Sequence, residues 1–329
     1  MRKLFLFVLL IIIVAAAWLA WAIYSPLRPG ETTYVLVKSG SNARQIAASL
    51  DQAGVIHSRT AFLLFHTLTG RRALKAGEYE FVKSASIPDV YSRLVRGDVY
   101  TRTVVIPEGF NIFDIAAALE DAHLCTRDEF LQEARTDKKL IADLAPEAPS
   151  LEGYLFPDTY QFARNQSTQE IASAMVKRFR QEARFLGLNS GIPRIVTLAS
   201  FVEKETRLPD ERPIVAGVFE NRLKLKMALA TDPSVIYAAE LDGVWKGVIH
   251  QSDLQRQSPY NTYKSTGLPP GPIANPGREA IAAAMHPAST SYLYFVADNT
   301  GGHNFARTIE QHNKNVAAYR KGVAKHIDR

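Results

Sequence analysis

The chain has 329 residues, of which 47% are hydrophobic and 22% charged, an ordinary composition for a globular protein. Cys125 is its only cysteine, which excludes an intrachain disulfide and a cysteine-based metal cluster. The net charge of +6 favours an anionic lipid or an acidic polymer as partner over nucleic acid, because the basic residues are scattered and no helix-turn-helix or zinc pattern is present.

The first element is a long apolar segment. Leu4 to Tyr24 are 21 consecutive residues without a charged or strongly polar side chain, and a helix needs roughly 20 such residues to cross a bilayer. Arg2 and Lys3 precede the segment and favour an N-terminus inside the cell. We therefore expect residues 1–24 to form a single transmembrane anchor with the body of the protein outside. A cleaved signal peptide, with small residues at Ala15 to Ala17, is the alternative.

A short linker, residues 25–33, precedes an internal repeat whose copies are 69 residues apart. The first copy contains Val35-Leu36-Val37, Gly40, Ile46 and Leu50, and the second contains Val104-Val105-Ile106, Gly109, Ile115 and Leu119. Each copy predicts a strand, a glycine turn and a helix, followed by a second helix at residues 60–69 or 127–134. Between the copies, a strand is predicted at residues 77–82 and a helix at 87–96.

A strand, two short helices and a returning strand, with glycine after the first strand, resemble the LysM-type glycan-binding module. We therefore interpret residues 34–149 as a LysM-like region. The alternative is a small α+β scaffold without a binding role, because the strand–glycine–helix unit occurs in many folds.

From residue 150 onward, helices alternate with loops rich in proline and glycine. Apolar spacing and capping residues predict helices at residues 168–185, 193–206, 213–224, 277–285 and 308–323, and a strand at 292–296. The segments around Thr231-Asp232-Pro233 and Asn261-Thr262-Tyr263 are predicted to be loops. Residues 150–329 are therefore expected to form a mainly helical domain with a small sheet.

The helix predicted near residue 200 carries a carboxyl of interest. At 100° per residue, Ile195, Leu198, Ala199 and Val202 share one apolar face, and Glu203 lies at its border, roughly 60° from the centre. Partial desolvation at such a border raises the pKa of a carboxyl, which suits a general acid near neutral pH. On this pattern alone, an ordinary solvated Glu-Lys-Glu run at a helix end remains the alternative.

Blocks along the chain resemble the endolytic murein (peptidoglycan) transglycosylases of the YceG-like family. The blocks are Glu152 to Tyr160, Thr197 to Thr206, Val218 to Leu223, Thr231 to Tyr237, Pro259 to Tyr263, Thr266 to Gly277, Ala284 to Ala288, Tyr292 to Asp298, and Gly302 to Phe305. Several long blocks in the same order make the resemblance specific, and it covers essentially the whole chain.

The resemblance implies a fold, a reaction and a catalytic residue. The implied fold is α+β, with an N-terminal transmembrane helix, the LysM-like α+β subdomain and the mainly helical catalytic domain. The implied enzyme is a carbon–oxygen lyase that cleaves the β-1,4 bond between N-acetylmuramic acid and N-acetylglucosamine in uncrosslinked or nascent strands. It leaves 1,6-anhydro-N-acetylmuramic acid ends and uses no metal or organic cofactor. The catalytic glutamate of the family corresponds to Glu203.

One carboxyl can suffice for such a reaction. Most glycosidases need a second carboxylate to activate water or to attack the sugar, whereas here the C6 hydroxyl of the muramic acid closes on C1. Glu203 is therefore expected to act first as acid and then as base. Glu205 is a candidate second carboxylate, but positions i and i+2 of a helix diverge, so we interpret Glu205 as structural.

Polar and aromatic residues within the blocks are candidates for substrate binding. Aromatic faces and amides suit sugar rings and N-acetyl groups, although each residue could instead only shape a loop. The candidates are Tyr260, Asn261, Tyr263, Thr231, Asp232, His303 and Glu152.

Two other functions remain open at this stage, a hydrolytic muramidase and a glycan-binding scaffold that does not cut. In each case the expected partners are peptidoglycan glycan strands and the membrane, and not nucleic acid. Partnership with peptidoglycan synthases is a further expectation from cutting next to the membrane. The expected location is the bacterial cytoplasmic (inner) membrane, with the catalytic body on its outer, periplasmic side.

Overall fold

The computed structural model describes residues 1–327, which form thirteen α-helices, one 3₁₀ helix and six short strands. Two compact units are present. Unit 1 comprises residues 1–103 and 161–166, and unit 2 comprises residues 104–160 and the chain from Ser167 onward. The predicted α+β class, with mostly helices and small two-stranded sheets, is confirmed.

Unit 1 packs helices around one antiparallel strand pair. Its elements are α1 (Arg2–Tyr24), β1 (Thr33–Val37), α2 (Ala43–Gln52), α3 (Arg59–Leu68), β2 (Gly77–Phe81) and α4 (Ile87–Arg96). β1 and β2 pair with Val35 opposite Tyr79. Val35 and Val37 point into the core while Tyr34 and Leu36 are exposed, as the two-residue period of a strand requires.

Helix α1 has 23 residues and contains an 18-residue window with a mean hydropathy of 2.9, which makes it long and apolar enough to cross a membrane. Its last turn belongs to the core of unit 1. Ala22 and Ile23 are 0% and 7% exposed, and the Trp21 ring lies 4.5 Å from that of His57. The predicted linker is also fixed in part, since Leu27 forms a bridge with Ala85. The helix therefore ends inside unit 1 and is not connected to it by a free tether.

We expect two N-terminal truncations to differ in stability for this reason. A chain that starts at Trp18 keeps the buried turn, whereas a chain that starts at Ser25 loses Ile23 and exposes its pocket. Burying one such side chain contributes about 1.5–3 kcal/mol, so the shorter chain should unfold at a clearly lower urea concentration. Equal urea midpoints for the unit 1 transition of the two truncations would contradict the integration of α1 into this core.

Unit 2 is mainly helical. The chain passes from unit 1 into unit 2 within β3 (Thr101–Val105) and returns briefly to unit 1 within β4 (Thr159–Ala163). These two strands form the second sheet. The helices that follow β3 are α5 (Ile112–Asp121), α6 (Arg127–Thr136) and a 3₁₀ helix (Lys138–Ile141). The elements that follow β4 are α7 (Thr168–Leu186), α8 (Ile192–Glu205), α9 (Arg212–Lys224), α10 (Asp232–Leu241), α11 (Gln251–Leu254), α12 (Arg278–Met285), the hairpin β5 (Tyr294–Ala297) and β6 (His303–Ala306), and α13 (Ile309–Ile327).

The two copies of the repeat have the same local structure. Gly40 and Gly109 both have φ of +79°, a left-handed conformation that glycine adopts without strain. Asn42 and Asn111, again 69 residues apart, cap the helices that follow through their side chains. The first copy lies in unit 1 and the second in unit 2. The two copies therefore lie in different compact units, and both the predicted domain boundaries and the LysM-like interpretation stay predictions.

Three elements differ from the expected pattern. The segment at Thr231-Asp232-Pro233 was predicted to be a loop, but α10 begins at Asp232, because proline is well suited to the first turn of a helix. No strand was predicted at the positions of β4 and β6. Both strands are short, and pairing with a neighbouring strand stabilises them more than any periodicity of their own.

The two units differ in net charge, and only unit 1 has an excess of basic over acidic residues. This unit has 14 Lys and Arg residues against 6 Asp and Glu, whereas unit 2 has 25 against 27. The excess of basic residues in the chain is therefore a property of the unit that contains the apolar helix.

Candidate active site

Helix α8 places Glu203 in the interior of unit 2. Pro193 lies in its first turn, and every residue from Val196 to Glu203 is buried, because α9 and α12 both pack against α8. The Phe201 ring meets Phe219 of α9 edge-on at 6.1 Å. The side chain of Glu203 is only 5% exposed, so the carboxyl is more deeply buried than its place at the border of the apolar face predicted.

Both oxygens of Glu203 accept hydrogen bonds. Oε1 accepts from Nη2 of Arg212 at 3.0 Å, and Oε2 accepts from the backbone N–H of Gly277 at 2.9 Å. Gly277 is the N-cap residue of α12, so the carboxyl also faces the positive end of a helix dipole. These contacts hold the carboxyl in one orientation and stabilise its ionised form.

The protonation of Glu203 reflects opposing effects. Burial raises its pKa, and the negative charge of Glu108 adds to this, whereas the Gly277 N–H, Arg212 and Lys204 lower it. The net direction is upward, as the sequence predicted. Such a carboxyl is able to hold a proton before a reaction and to remain stabilised as a carboxylate after losing it.

Arg212 connects Glu203 to a second carboxyl. Its guanidinium is 7% exposed, and the same Nη2 atom lies 3.5 Å from Oε2 of Glu108. The side chain of Glu108 is 48% exposed. One buried cation therefore neutralises a buried carboxyl on one side and faces a solvated carboxyl on the other.

Glu203 opens onto a cavity of about 620 Å³, which we call the Glu203 cavity. Its walls come from the second repeat copy, the end of α8 and the start of α9. They are formed by Pro107, Glu108, Gly109, Phe110, Asp114, Glu203, Lys204, Glu205, Thr206, Arg207 and Arg212. The glycine turn of this copy packs on α8, since a Cβ at Gly109 would lie 3.5 Å from Cγ of Glu203, whereas one at Gly40 would meet nothing within 4 Å. The same turn thus serves different purposes in the two copies.

A buried network fixes the loops around Glu203. Glu152, 1% exposed, accepts hydrogen bonds from the Ile112 N–H at 2.9 Å and from Nδ2 of Asn275 at 2.7 Å. Asn275 exchanges backbone hydrogen bonds with the turn of the second copy, through the Gly109 N–H at 2.9 Å and the Phe110 carbonyl at 2.8 Å. Since Asn275 lies two residues before Gly277, this network positions the N–H that holds Glu203.

Replacement of Glu152 by Gln should change how stability depends on pH. Burial raises the pKa of Glu152 from 4.5 to about 8. Between these values the unfolded chain ionises while the folded protein keeps its proton, so Glu152 lowers stability as pH rises from about 4.5 to about 8. The slope from one such group approaches about 1.4 kcal/mol per pH unit.

Glu152→Gln should therefore give a flatter curve of unfolding free energy against pH over this range. The exposed residue Glu279 provides the matched control, since Glu279→Gln should leave the slope unchanged. Equal slopes in wild type and Glu152→Gln would mean that Glu152 is ionised in the folded protein.

Four of the predicted binding residues lie together in a second cavity, of about 440 Å³, which we call the Tyr263 cavity. Tyr263 is 42% exposed and its hydroxyl donates to Oδ1 of Asp232 at 2.8 Å. Nδ1 of His303 lies 2.7 Å from Oε2 of Glu211. Thr231, the N-cap residue of α10, is buried, and its hydroxyl has no hydrogen-bond partner among the described residues.

The other three predicted binding residues are Glu152, Asn261 and Tyr260. In the described part of the chain, they line neither the Glu203 cavity nor the Tyr263 cavity. Glu152 belongs to the network above. Asn261 is 0% exposed, and its Nδ2 bonds to backbone carbonyls that include Arg256 at 2.9 Å. Tyr260 packs on Tyr237 with ring centroids 5.1 Å apart. These side chains hold loops in place, and their predicted contact with substrate rests on the sequence alone.

Sequence reasoning missed the residues that orient Glu203. Gly277 lies at the end of a quoted block and Arg212 lies between two blocks, but nothing in one sequence pairs either with Glu203. Glu108 follows the strand of the second repeat copy, but the repeat pattern includes Gly109 and not Glu108. Pairing across 74 residues, as for Gly277, depends on the packing of α12 against α8.

Comparison with known proteins gives the same family along most of the chain. Residues 35–318 match the YceG-like family. A protein of Bacillus subtilis named endolytic murein transglycosylase is 35% identical over 309 residues, which cover 88% of this chain and 85% of the relative. A protein of the same name from Streptococcus pneumoniae is 29% identical over 330 residues, and the chain spans 60% of its length.

A solved structure is also similar. The crystal structure of a YceG-like protein from Listeria monocytogenes superposes with a TM-score of 0.55 at 32% sequence identity, covering 86% of this chain and 99% of that one. Family membership is therefore supported by sequence and by fold.

Proposed function

Because the chain belongs to the YceG-like family, we propose that it is an endolytic murein transglycosylase. It cleaves the β-1,4 bond between N-acetylmuramic acid and N-acetylglucosamine within uncrosslinked or nascent strands and leaves 1,6-anhydro-N-acetylmuramic acid ends. The observation that supports this most is Glu203, a buried carboxyl with a raised pKa at the wall of a cavity. The names of the relatives supply the substrate.

Glu203 moves one proton in each half of the reaction. Its protonated carboxyl donates to the O4 leaving oxygen as the C1–O4 bond breaks. The C6 hydroxyl oxygen then bonds to C1 and its proton passes to the Glu203 carboxylate, so the enzyme returns to its starting state. Between the two transfers, Arg212 and the Gly277 N–H stabilise the carboxylate.

No water is needed in this sequence, because the nucleophile is part of the sugar that is cut. The C6 hydroxyl is held close to C1 by the ring itself, which replaces a second reactant with an intramolecular one. The positive charge that develops at C1 is met by the N-acetyl oxygen of the same sugar. Glu203 is therefore the single acid and base of the proposed mechanism.

A hydrolytic muramidase is the alternative, since Glu108 offers a second carboxyl in the Glu203 cavity. Hydrolases that place a water between two carboxyls hold these groups roughly 6.5–9.5 Å apart. Glu203 and Glu108 approach the same Arg212 nitrogen, at 3.0 and 3.5 Å, so their oxygens can be no further apart than the low end of that range. This spacing disfavours an inverting hydrolase but not a retaining one, whose carboxyls lie roughly 5–5.5 Å apart, so the chemistry of the newly formed ends distinguishes the two reactions.

In this proposal, the glycan strand occupies both the Glu203 cavity and the Tyr263 cavity. Thr231, Asp232, Tyr263 and His303 would then contact sugars or their substituents, with the exposed Tyr263 ring as a stacking surface. Glu152, Tyr260 and Asn261 would support the groove from behind.

The proposed location is the outer side of the bacterial cytoplasmic membrane. Helix α1 serves as a single-pass anchor, and Arg2 and Lys3 keep its start inside the cell. The basic surface of unit 1 would then face anionic lipid headgroups at the point where the helix emerges. Cutting beside the membrane also makes peptidoglycan synthases the proposed protein partners.

The test is to incubate the full chain, in detergent or vesicles, with uncrosslinked glycan strands and to determine fragment masses. We expect internal cuts and 1,6-anhydro ends. Fragments with reducing ends would support the muramidase, and binding without fragments would support a glycan-binding scaffold.

A further inference from the structure

Glu205 occupies the junction between the two cavities. It is the last residue of α8, and among the described residues it alone lines both the Glu203 cavity and the Tyr263 cavity. Its side chain is partly exposed. A polymer that occupies both cavities would therefore lie beside Glu205.

The groups around Glu205 direct their hydrogen bonds elsewhere. Arg222 of α9 donates to the backbone carbonyls of Leu293 and Leu229, each at 2.6 Å. Tyr263 donates to Asp232 of α10. None of the hydrogen bonds found among the described residues reaches the Glu205 carboxyl, in contrast to Glu203, where both oxygens are engaged.

Other titratable groups near the junction have contacts of their own, and Asp114 and Arg207 also line the Glu203 cavity. His303 of β6 bonds to Glu211, and His312 of α13 stacks on Tyr294 of β5 at 5.3 Å. On α8 itself, Lys204 donates to the Gly109 carbonyl at 3.2 Å. The Glu205 carboxyl is thus free to bond to a ligand in either cavity.

Glu205 and Asp232 differ in what stabilises their charge. Asp232 accepts a hydrogen bond from Tyr263 and lies in the first turn of α10, whereas the Glu205 carboxyl has no hydrogen-bond donor among the described residues. Burial raises the pKa of Glu205 to about 7, Asp232 adds to this and Arg222 opposes it. Near neutral pH a large share of Glu205 is therefore uncharged and carries an O–H group.

We propose that Glu205 is a substrate-contacting residue, which binds the glycan as a neutral carboxylic acid by donating its O–H to an acetamido or hydroxyl oxygen where the strand crosses between the two cavities. This inference rests on the proposed function, because it assumes a glycan strand in both cavities. It replaces the structural role that the helical spacing predicted for Glu205.

A comparison of Glu205→Gln with Glu205→Ala separates this role from others. The amide of Gln donates a hydrogen bond at every pH, whereas Ala offers none. In wild type, KM for uncrosslinked glycan should rise as pH increases through about 7, because the donor is lost. In Glu205→Gln, KM should stay low and independent of pH. In Glu205→Ala, KM should be raised about tenfold at all pH values, as expected for one lost hydrogen bond.

The value of kcat provides the internal control, because its loss at high pH depends on Glu203 and should persist in Glu205→Gln. Glu279→Gln, which removes an exposed carboxyl on α12, should behave as wild type. Thermal unfolding of each variant reports whether it is folded. If the Ala variant is unstable, the comparison of wild type with Glu205→Gln tests the proposal by itself.

Two results would overturn the proposal. The first is the same KM and the same pH dependence in wild type and Glu205→Gln. The second is a Glu205→Gln variant as impaired as Glu205→Ala, which would mean that the charge is required. Either result could be obtained with an enzyme that cuts normally, whereas failure of the proposed function would appear as wild type that releases no anhydro ends.

Discussion

Glu203→Gln should abolish cutting while the protein stays folded. The amide has nearly the same shape but cannot transfer a proton to O4 or accept one from the C6 hydroxyl. General acid–base catalysis by one side chain typically contributes about 10²–10⁴-fold. Since Glu203 performs both transfers, we expect a loss of at least about 10³-fold in the release of anhydro ends. The measurement is mass spectrometry of fragments against time, at equal protein concentration.

Binding provides the control for this variant. The Glu203→Gln amide can accept from Arg212 or from the Gly277 N–H but not from both, so a modest stability loss of about 1–3 kcal/mol is expected. Retention of glycan strands by the variant should resemble that of wild type. Cutting at more than about a hundredth of the wild-type rate would contradict the assignment of Glu203.

Arg212→Met should cause the largest loss of stability among the site variants. It removes the cation from a buried pair in which Glu203 and Arg212 are 5% and 7% exposed. Breaking a buried pair by removing one partner typically costs about 3–5 kcal/mol, because an uncompensated charge remains. Activity should fall as well, since Glu203 loses one of the two contacts that stabilise its carboxylate.

The destabilisation by Arg212→Met should depend on pH. Arg212 lowers the pKa of Glu203, so its removal raises that pKa further above the unfolded value of 4.5. Below about pH 4.5 the carboxyl is protonated in both states and the unpaired charge is absent. The loss of stability should therefore be smaller at pH 4.5 than at pH 8, as measured by urea unfolding.

A double variant tests whether the pair is responsible. Arg212→Met combined with Glu203→Gln should be less destabilised than the sum of the single variants, because neither leaves the other unpaired. Arg212→Lys keeps the charge on a shorter side chain with a single nitrogen, so an intermediate result is expected. An equal loss at both pH values, together with strict additivity, would contradict the described pairing.

The sequence predicted most elements because their signals are local. The capping residue Ser167 and the apolar spacing of Ile171, Met175 and Phe179 predict α7 to within one residue at either end. The repeat predicted matching turns at Gly40 and Gly109, and the shared φ of +79° agrees. Helix α10 was missed because Asp232-Pro233 is equally typical of a turn, and only the packing of the residues after it decides for a helix.

The site was predicted only in part because its geometry is not local. The position of Glu203 follows from the period of one helix. Its partners Arg212, Gly277 and Glu108 come from three other segments, which the packing of α8, α9 and α12 brings together. The case of Glu205 is similar. Side chains two positions apart diverge on a helix. Glu203 and Glu205 nevertheless both line the Glu203 cavity, because this cavity extends past the end of α8.

In the proposed reaction, the sugar's own hydroxyl, and not water, takes the place of the leaving group. Digestion of uncrosslinked glycan in water enriched in oxygen-18, followed by mass spectrometry of the newly formed ends, tests it most directly. We predict that every new muramic acid end has the anhydro mass and carries no oxygen-18. Ends that contain one heavy oxygen per cut would contradict the account and identify a hydrolase.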